Sequence, residues 1–113
     1  GDPLLPTPAE DDPDLPVPQN RDFLKQNYPN PFNNRTIIEY YLHGISEREV
    51  LIDIYNILGQ KVRTLYGGMQ SGGSHSIYWD GRDDYDKDIP SGIYFYQLKS
   101  KGQIISKKML YLK

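Results

Sequence analysis

The chain has 113 residues, no cysteine, two histidines and a net charge of -2, which leaves room for one domain and excludes both a disulfide framework and a thiolate metal site. Tyrosine supplies 10 of the aromatic residues beside 3 Phe and 1 Trp, and the lone alanine is Ala9, so strands are favoured over helices. No stretch reaches the roughly 20 apolar residues a membrane helix needs, and the first residues lack a basic-then-apolar leader, so the chain reads as a piece of a longer protein.

Residues 1–18 interleave Pro3, Pro6, Pro8, Pro13, Pro16 and Pro18 with Asp2, Glu10, Asp11, Asp12 and Asp14 and contain no base. Such a segment buries too little apolar surface to offset the entropy of ordering it and is expected to act as an extended, self-repelling linker to an upstream cargo domain. The domain is therefore placed at 21–113, after an acidic, proline-rich linker at 1–20. It carries a mild positive excess, and beyond Asp88 there is no acid while Lys99, Lys101, Lys107, Lys108 and Lys113 accumulate. Edge lysines that discourage strand-to-strand aggregation account for this pattern, and a docking surface for an anionic partner is the alternative.

Within the domain, short alternating segments are punctuated by turn residues, and no dozen-residue window keeps a helical period. Thr36 to Leu42 places Ile38, Tyr40 and Leu42 on one face. Val50 to Tyr55 places Val50, Ile52 and Ile54 inward against Leu51, Asp53 and Tyr55 outward. A tight turn at Asn56-Ile57-Leu58-Gly59 leads to a third strand, Gln60 to Tyr66, carrying Val62 and Leu65, with Gly59 free to adopt positive φ. Gly67-Gly68 and Gly72-Gly73 are expected to bracket a mobile loop before a fourth strand that aligns His75, Ile77 and Trp79. A turn region at Asp80, Gly81, Asp83 and Gly92 precedes a final hairpin, Gly92 to Lys99 and Ile104 to Leu112, around Lys101-Gly102. A seventh short strand is expected near Asp88 to Pro90 or within 28–34. Turn signals every 8–12 residues indicate an all-β, immunoglobulin-like antiparallel β-sandwich of about seven strands, with Trp79 at its centre.

Polar clusters read as structure rather than chemistry. Asp80 to Asp88 holds five carboxylates, but Ile89 stands where a calcium loop of EF-hand type needs glycine and Phe95 where it needs glutamate. Asp side chains bonding to backbone N–H groups are the expectation. Ser74-His75-Ser76 contains hydrolase residue types, yet neighbours on a strand face opposite sides, so His75 reads as a hydrogen-bonded core-edge residue. Tyr41, Tyr55 and Tyr78 are candidates for a sugar-stacking platform, whereas the mild charge argues against nucleic acid. No catalytic residue, metal ligand or cofactor is expected.

Gln26-Asn27-Tyr28-Pro29-Asn30-Pro31-Phe32-Asn33 and Ile54 to Val62 resemble the opening segments of the C-terminal sorting domains of the type IX (Por) secretion system. Trp79-Asp80-Gly81-Arg82-Asp83 and Ser91-Gly92-Ile93-Tyr94-Phe95-Tyr96 are similar to the immunoglobulin-like domain of the flagellar hook-capping protein family. The ending Lys107-Lys108-Met109-Leu110-Tyr111-Leu112-Lys113 again resembles the sorting domains. Asp86 departs from the glycine that family often has in its turn, although aspartate tolerates left-handed geometry. The resemblance implies a non-catalytic sorting module of a secreted or cell-surface protein that passes through the periplasm, with an outer-membrane translocon and a sortase-like transpeptidase as partners. Residues 107–113 are the expected recognition segment, with β-addition along Ile104 to Leu112 as one mode. An accessory adhesion or glycan-binding module is the alternative reading, and a hook-assembly scaffold fits the linker and basic tail less well.

Overall fold

The computed structural model describes residues 16–113; most of the expected linker, 1–15, lies outside the described residues. Seven strands follow in order: β1 (Phe23–Leu24), β2 (Thr36–Leu42), β3 (Arg48–Tyr55), β4 (Lys61–Gln70), β5 (Gly73–Trp79), β6 (Gly92–Ser100) and β7 (Gln103–Tyr111). They form two antiparallel sheets, β1-β2-β5 and β4-β3-β6-β7, and no helix occurs among the described residues. This is an immunoglobulin-like β-sandwich.

Period-two alternation explains both layers. Ile38, Tyr40 and Leu42 of β2 and Val50, Ile52 and Ile54 of β3 all face the interior, where they meet Tyr94, Tyr96 and Leu98 of β6 and Met109 and Tyr111 of β7. Trp79, 1% exposed, closes one end of this core, and its indole N–H donates to the Arg82 carbonyl at 2.9 Å, so the buried polar atom is satisfied. Ile77 is partly buried and packs against the same cluster.

The β3–β4 hairpin turns through Asn56, whose side-chain oxygen accepts from the Leu58 and Gln60 amides while Gly59 sits at φ 78°. Asn56 thus supplies the acceptor and Gly59 the left-handed backbone that the turn requires. Val62 and Leu65, three residues apart, both pack on the core. A regular strand forbids that, and two register shifts, between Ile52/Asp53 and Ile54/Tyr55 on the partner side, make it possible. The β6–β7 hairpin closes through Lys101 and Gly102 at φ 51° and 77°, with Ser100 opposite Gln103.

Three expectations are corrected. Gly67 and Gly68 lie inside β4, paired with Leu51 and Val50, and only Ser71 and Gly72 separate β4 from β5. Glycines on an edge strand need no loop, because the pairing supplies the order that their composition lacks. The seventh strand is Phe23–Leu24, paired with Tyr41 and Tyr40, outside both expected places. Those places instead contribute isolated bridges, Tyr28 to Ile37, Phe32 to Tyr111 and Arg82 to Asp88. Gly92 is the first residue of β6, opposite Tyr111, and not part of a turn.

Candidate recognition surface

The expected recognition segment is half interior. β7 is one of the two outer strands of the four-stranded sheet, and its odd-numbered residues Met109 and Tyr111 are buried, while Lys108 and Leu110 face outward and Leu112 and Lys113 lie past its end. Met109 and Tyr111 are therefore unavailable to a partner unless the sandwich opens, and Lys108, Leu112 and Lys113 carry the accessible part. The Lys113 amide is tied to Ser91 Oγ at 2.8 Å.

A segment from far earlier in the chain clamps this strand. Gln26 Nε2 donates to the Lys108 carbonyl at 2.7 Å, Asn30 Oδ1 accepts from the Leu110 amide at 3.0 Å, and Phe32 exchanges main-chain bonds with Leu110 and Leu112 at 3.1 and 2.8 Å. The clamp is itself fixed from below. Tyr96 Oη donates to the Lys25 carbonyl at 2.6 Å and accepts from the Asn27 amide at 2.8 Å. The Asn27 amide group donates to Thr36 Oγ1 and to the Pro29 carbonyl. Buried polar groups so completely paired hold one geometry, since breaking any one bond strands its partner away from water.

Phe32 ends this segment in an aromatic cluster. Its ring stacks on Tyr111 at 4.9 Å and leans on Trp79 at 5.5 Å, and Trp79 meets Tyr94 edge-on at 5.7 Å. Gly81, at φ 74°, lies so close to this cluster that a Cβ there would come within 2.7 Å of Tyr111 Cζ. Burial raises the Tyr111 phenol pKa above its ordinary value, with the charges of Asp88 and Asp80 adding and that of Arg82 opposing; Tyr94 is raised by burial and then by Tyr111.

The acidic stretch is a hydrogen-bonded turn. Asp83 Oδ1 accepts from the Tyr85 and Lys87 amides at 2.9 and 3.0 Å, Asp80 Oδ1 from the Arg82 amide at 3.2 Å, and Asp84 Oδ1 from the Thr64 amide at 3.0 Å. Arg82 lies between Asp86, at 3.3 Å, and Asp88, at 3.9 Å. Asp86 takes φ 61°, the left-handed geometry expected of it. Among the described residues no group of three or more His, Asp or Glu is arranged to hold a metal ion. His75 bonds through Nε2 to the Ser71 carbonyl at 2.8 Å and stacks on Tyr40 at 5.4 Å, with Ser74 and Ser76 exposed on the opposite side.

The tyrosine platform does not assemble. Tyr41 and Tyr78 belong to the three-stranded sheet and Tyr55 to the four-stranded one, and only Tyr78, at 56%, is largely exposed. The Arg35 guanidinium already covers Tyr78 at 4.9 Å.

Sequence reasoning missed Asp53. Expected to point to solvent, its carboxylate is 3% exposed on the outer face of β3. Thr64 Oγ1 donates to it at 2.8 Å, Tyr55 Oη at 3.2 Å and Lys99 Nζ at 3.4 Å, while Lys99 also donates to Tyr55 Oη at 2.8 Å. The bond to Tyr55 raises the Lys99 pKa above the usual lysine value, burial works against it, and Asp53 adds to the rise. An aspartate amid a β-branched, apolar strand was the signal available, because such a position is disfavoured for an acid unless cross-strand partners stand beside it. A second missed pair, Arg48 with Asp22 at 3.6 Å, is nearly buried at the opposite end.

A two-layer antiparallel sandwich clamped at its last strand defines an immunoglobulin-like module. The chain belongs to the FlgD Ig-like domain family, whose sequence model matches residues 35–103. No curated protein matches it. Among solved structures it is similar to part of dimeric latent PorU from Porphyromonas gingivalis, at 24% identity and a TM-score of 0.64, over 80% of this chain and 9% of that one. It is also similar to PorZ, an essential surface component of the type IX secretion system of Porphyromonas gingivalis, at 15% identity and a TM-score of 0.48, over 81% of this chain and 11% of that one. Pseudomonas fluorescens alkylpurine DNA glycosylase AlkC gives 14% identity and a TM-score of 0.48, over 82% of this chain and 31% of that one. The chain thus spans a small part of each of these proteins.

Proposed function

We propose that this domain is a non-catalytic C-terminal sorting module that directs an upstream cargo through a type IX secretion system to the cell surface or medium. The observation that carries this reading is the ordered run of sorting-domain-like segments from Gln26-Asn27-Tyr28-Pro29-Asn30-Pro31-Phe32-Asn33 to the ending Lys107-Lys108-Met109-Leu110-Tyr111-Leu112-Lys113. The first of these clamps the last in the fold. The immunoglobulin-like sandwich, shared with part of PorU, is compatible with it. Among the described residues no helix is long and apolar enough to cross a membrane. The translocon and a sortase-like transpeptidase are the implied partners, and the accessible Lys108, Leu112 and Lys113 are the residues proposed to meet them.

The test is a reporter fused ahead of residues 20–113 in a bacterium that possesses this secretion system. Export of the fusion, with loss of export in a Lys108→Glu/Leu112→Ser/Lys113→Glu variant, is the expected result. Truncation at Lys107 is the poorer test, because it also removes the buried Met109 and Tyr111. Retention of the folded parent fusion in the periplasm refutes the reading.

A further inference from the structure

The β3–β4 turn displays two large aliphatic side chains that its own construction does not use. Its bonds come from neighbours: the Asn56 amide donates to the Gln60 carbonyl and the Gly59 amide to the Asn56 carbonyl, both at 3.0 Å. Asn56 Nδ2 also donates to Gln60 Oε1 at 2.8 Å, beside the two amides its Oδ1 accepts. Ile57 and Leu58 lie outside the core and are 69% and 77% exposed. Turns are served by polar residues, so two aliphatics at this tip expose apolar area without stabilising the fold.

The tip stands at the end of the sandwich where other apolar side chains are also exposed. Ile93, 43% exposed, begins the outer face of β6 opposite Leu110, and Leu112, 46% exposed, follows just past β7. One rung further in, Lys61, Tyr55, Phe95 and Lys108 align across the four strands on the same outer face. Among the described residues the ammonium groups of Lys61, Lys108 and Lys113 have no ion partner. The upstream chain joins at the opposite end, where the Gln19 carbonyl meets His43 Nδ1 at 2.9 Å and Asp22 pairs with Arg48. A cargo ahead of the domain is therefore attached away from this corner.

An apolar centre with a polar rim is the anatomy of a protein interface, and here the rim is cationic. Anionic lipid also attracts lysine, but the five carboxylates of Asp80 to Asp88 sit at the same end, with Asp84 bonded to the Thr64 amide of β4, and a flat anionic surface repels them. A second copy in two-fold contact sets the three lysines against their own counterparts. We propose that Ile57 and Leu58, with Ile93 and Leu112, are the apolar centre of the surface that the sorting machinery reads, seated in a hollow of a partner protein whose rim carries carboxylates for Lys61, Lys108 and Lys113. This rests on the sorting reading and deepens it by adding a contact from the middle of the chain to those of the tail.

The experiment fuses a reporter ahead of the full 113-residue chain in a bacterium that possesses a type IX secretion system. Ile57→Ser/Leu58→Ser is expected to lower export at least about tenfold while the urea midpoint of the purified chain stays unchanged. Ile45→Ser/Ile104→Ser removes aliphatics that are 94% and 61% exposed at the other end and is expected to export as the parent does. Overproduced chain without reporter is expected to compete with the parent fusion, and the Ile57→Ser/Leu58→Ser chain is not. Ile93→Thr, on the outer sheet face, carries the test if the turn variant's midpoint falls. An exported parent with equal export by both the turn and Ile93→Thr variants overturns the proposal and leaves the sorting reading standing; retention of the parent overturns both. Cosedimentation of the purified chain with phosphatidylethanolamine–phosphatidylglycerol vesicles, lost in Ile57→Ser/Leu58→Ser, overturns it in favour of a bilayer. Self-association abolished by the same substitutions overturns it in favour of a second copy.

Discussion

Gly81→Ala, measured beside Gly59→Ala, separates the backbone requirement of a turn from the packing of the aromatic end. Both glycines hold left-handed φ, 74° and 78°. A side chain there costs about 1–2 kcal/mol in either place. A Cβ at Gly59 meets nothing within 4 Å, but one at Gly81 comes within 2.7 Å of Tyr111 Cζ and 2.9 Å of its Cε1 and Oη. Ordinary contact begins near 3.4 Å, so the turn and the ring must separate by roughly 0.7 Å in a packed cluster, an overpacking that adds about 1–3 kcal/mol. Gly59→Ala is thus expected to lose about 1–2 kcal/mol and Gly81→Ala about 2–5 kcal/mol. With a urea slope of about 1.5 kcal/mol per molar, the extra loss lowers the midpoint of Gly81→Ala by about 1–2 M relative to Gly59→Ala. Hydrogen exchange supplies the second readout: the Leu110 and Leu112 amides, bonded to Asn30 and Phe32, lose protection in Gly81→Ala and keep it in Gly59→Ala. Equal midpoints for the two variants refute the claim that Gly81 is required by its approach to Tyr111.

Trp79→Ala is expected to cost about 3–5 kcal/mol, a large share of the stability of a domain this size; a denaturation midpoint that hardly moves contradicts the burial of the indole in the aromatic cluster. Asp53→Ala leaves the Thr64 hydroxyl and part of the Lys99 ammonium without their acceptor and is expected to lose about 1–3 kcal/mol, whereas an unchanged urea midpoint means that the outer-face cluster holds nothing together. Lys99, Tyr40, Tyr94 and Tyr111 all have raised pKa values, the tyrosines chiefly through burial. The folded chain therefore keeps protons that the unfolded chain releases near pH 10, so their contribution is fully present below that pH and is lost as pH rises through the raised values. Urea midpoints are expected to fall between pH 9 and 11, less steeply in Lys99→Met; a midpoint that rises over that range contradicts the assignment.

The strands of the core were legible because alternation is a local property. Ile38, Tyr40 and Leu42, then Val50, Ile52 and Ile54, declare their buried face within a few residues, and turns such as Asn56 to Gly59 carry their own conformational requirement. The rest depends on neighbours that only the folded chain supplies. Gly67 and Gly68 look like a loop until β3 lies beside them, and Phe23–Leu24 is too short to show a period. Asp53 looks solvent-facing because Thr64 and Lys99 reach it from strands 11 and 46 residues away. The tail reads as one recognition segment because a basic, apolar stretch does not reveal which of its residues point inward; pairing with β6 does that, and it sends Met109 and Tyr111 to the core.

The segments that carry the family likeness converge on one end of the sandwich, and this separates fold from recognition. Phe32, Trp79, Gly81, Tyr94 and Tyr111 belong to four different motifs, yet each touches another of the set. Residues held by one another in a buried cluster specify a shape, and a partner reads only what that shape leaves outside. On the proposed sorting function, a chain that keeps this buried cluster but loses Lys108, Leu112 and Lys113 is expected to fold unchanged and go unexported, whereas one that keeps the surface but loses Phe32 is expected to release the clamp on β7 and fail at both. Paired measurements of stability and export on Phe32→Ala and on the surface triple variant distinguish these cases, and export failing only in company with unfolding contradicts the division.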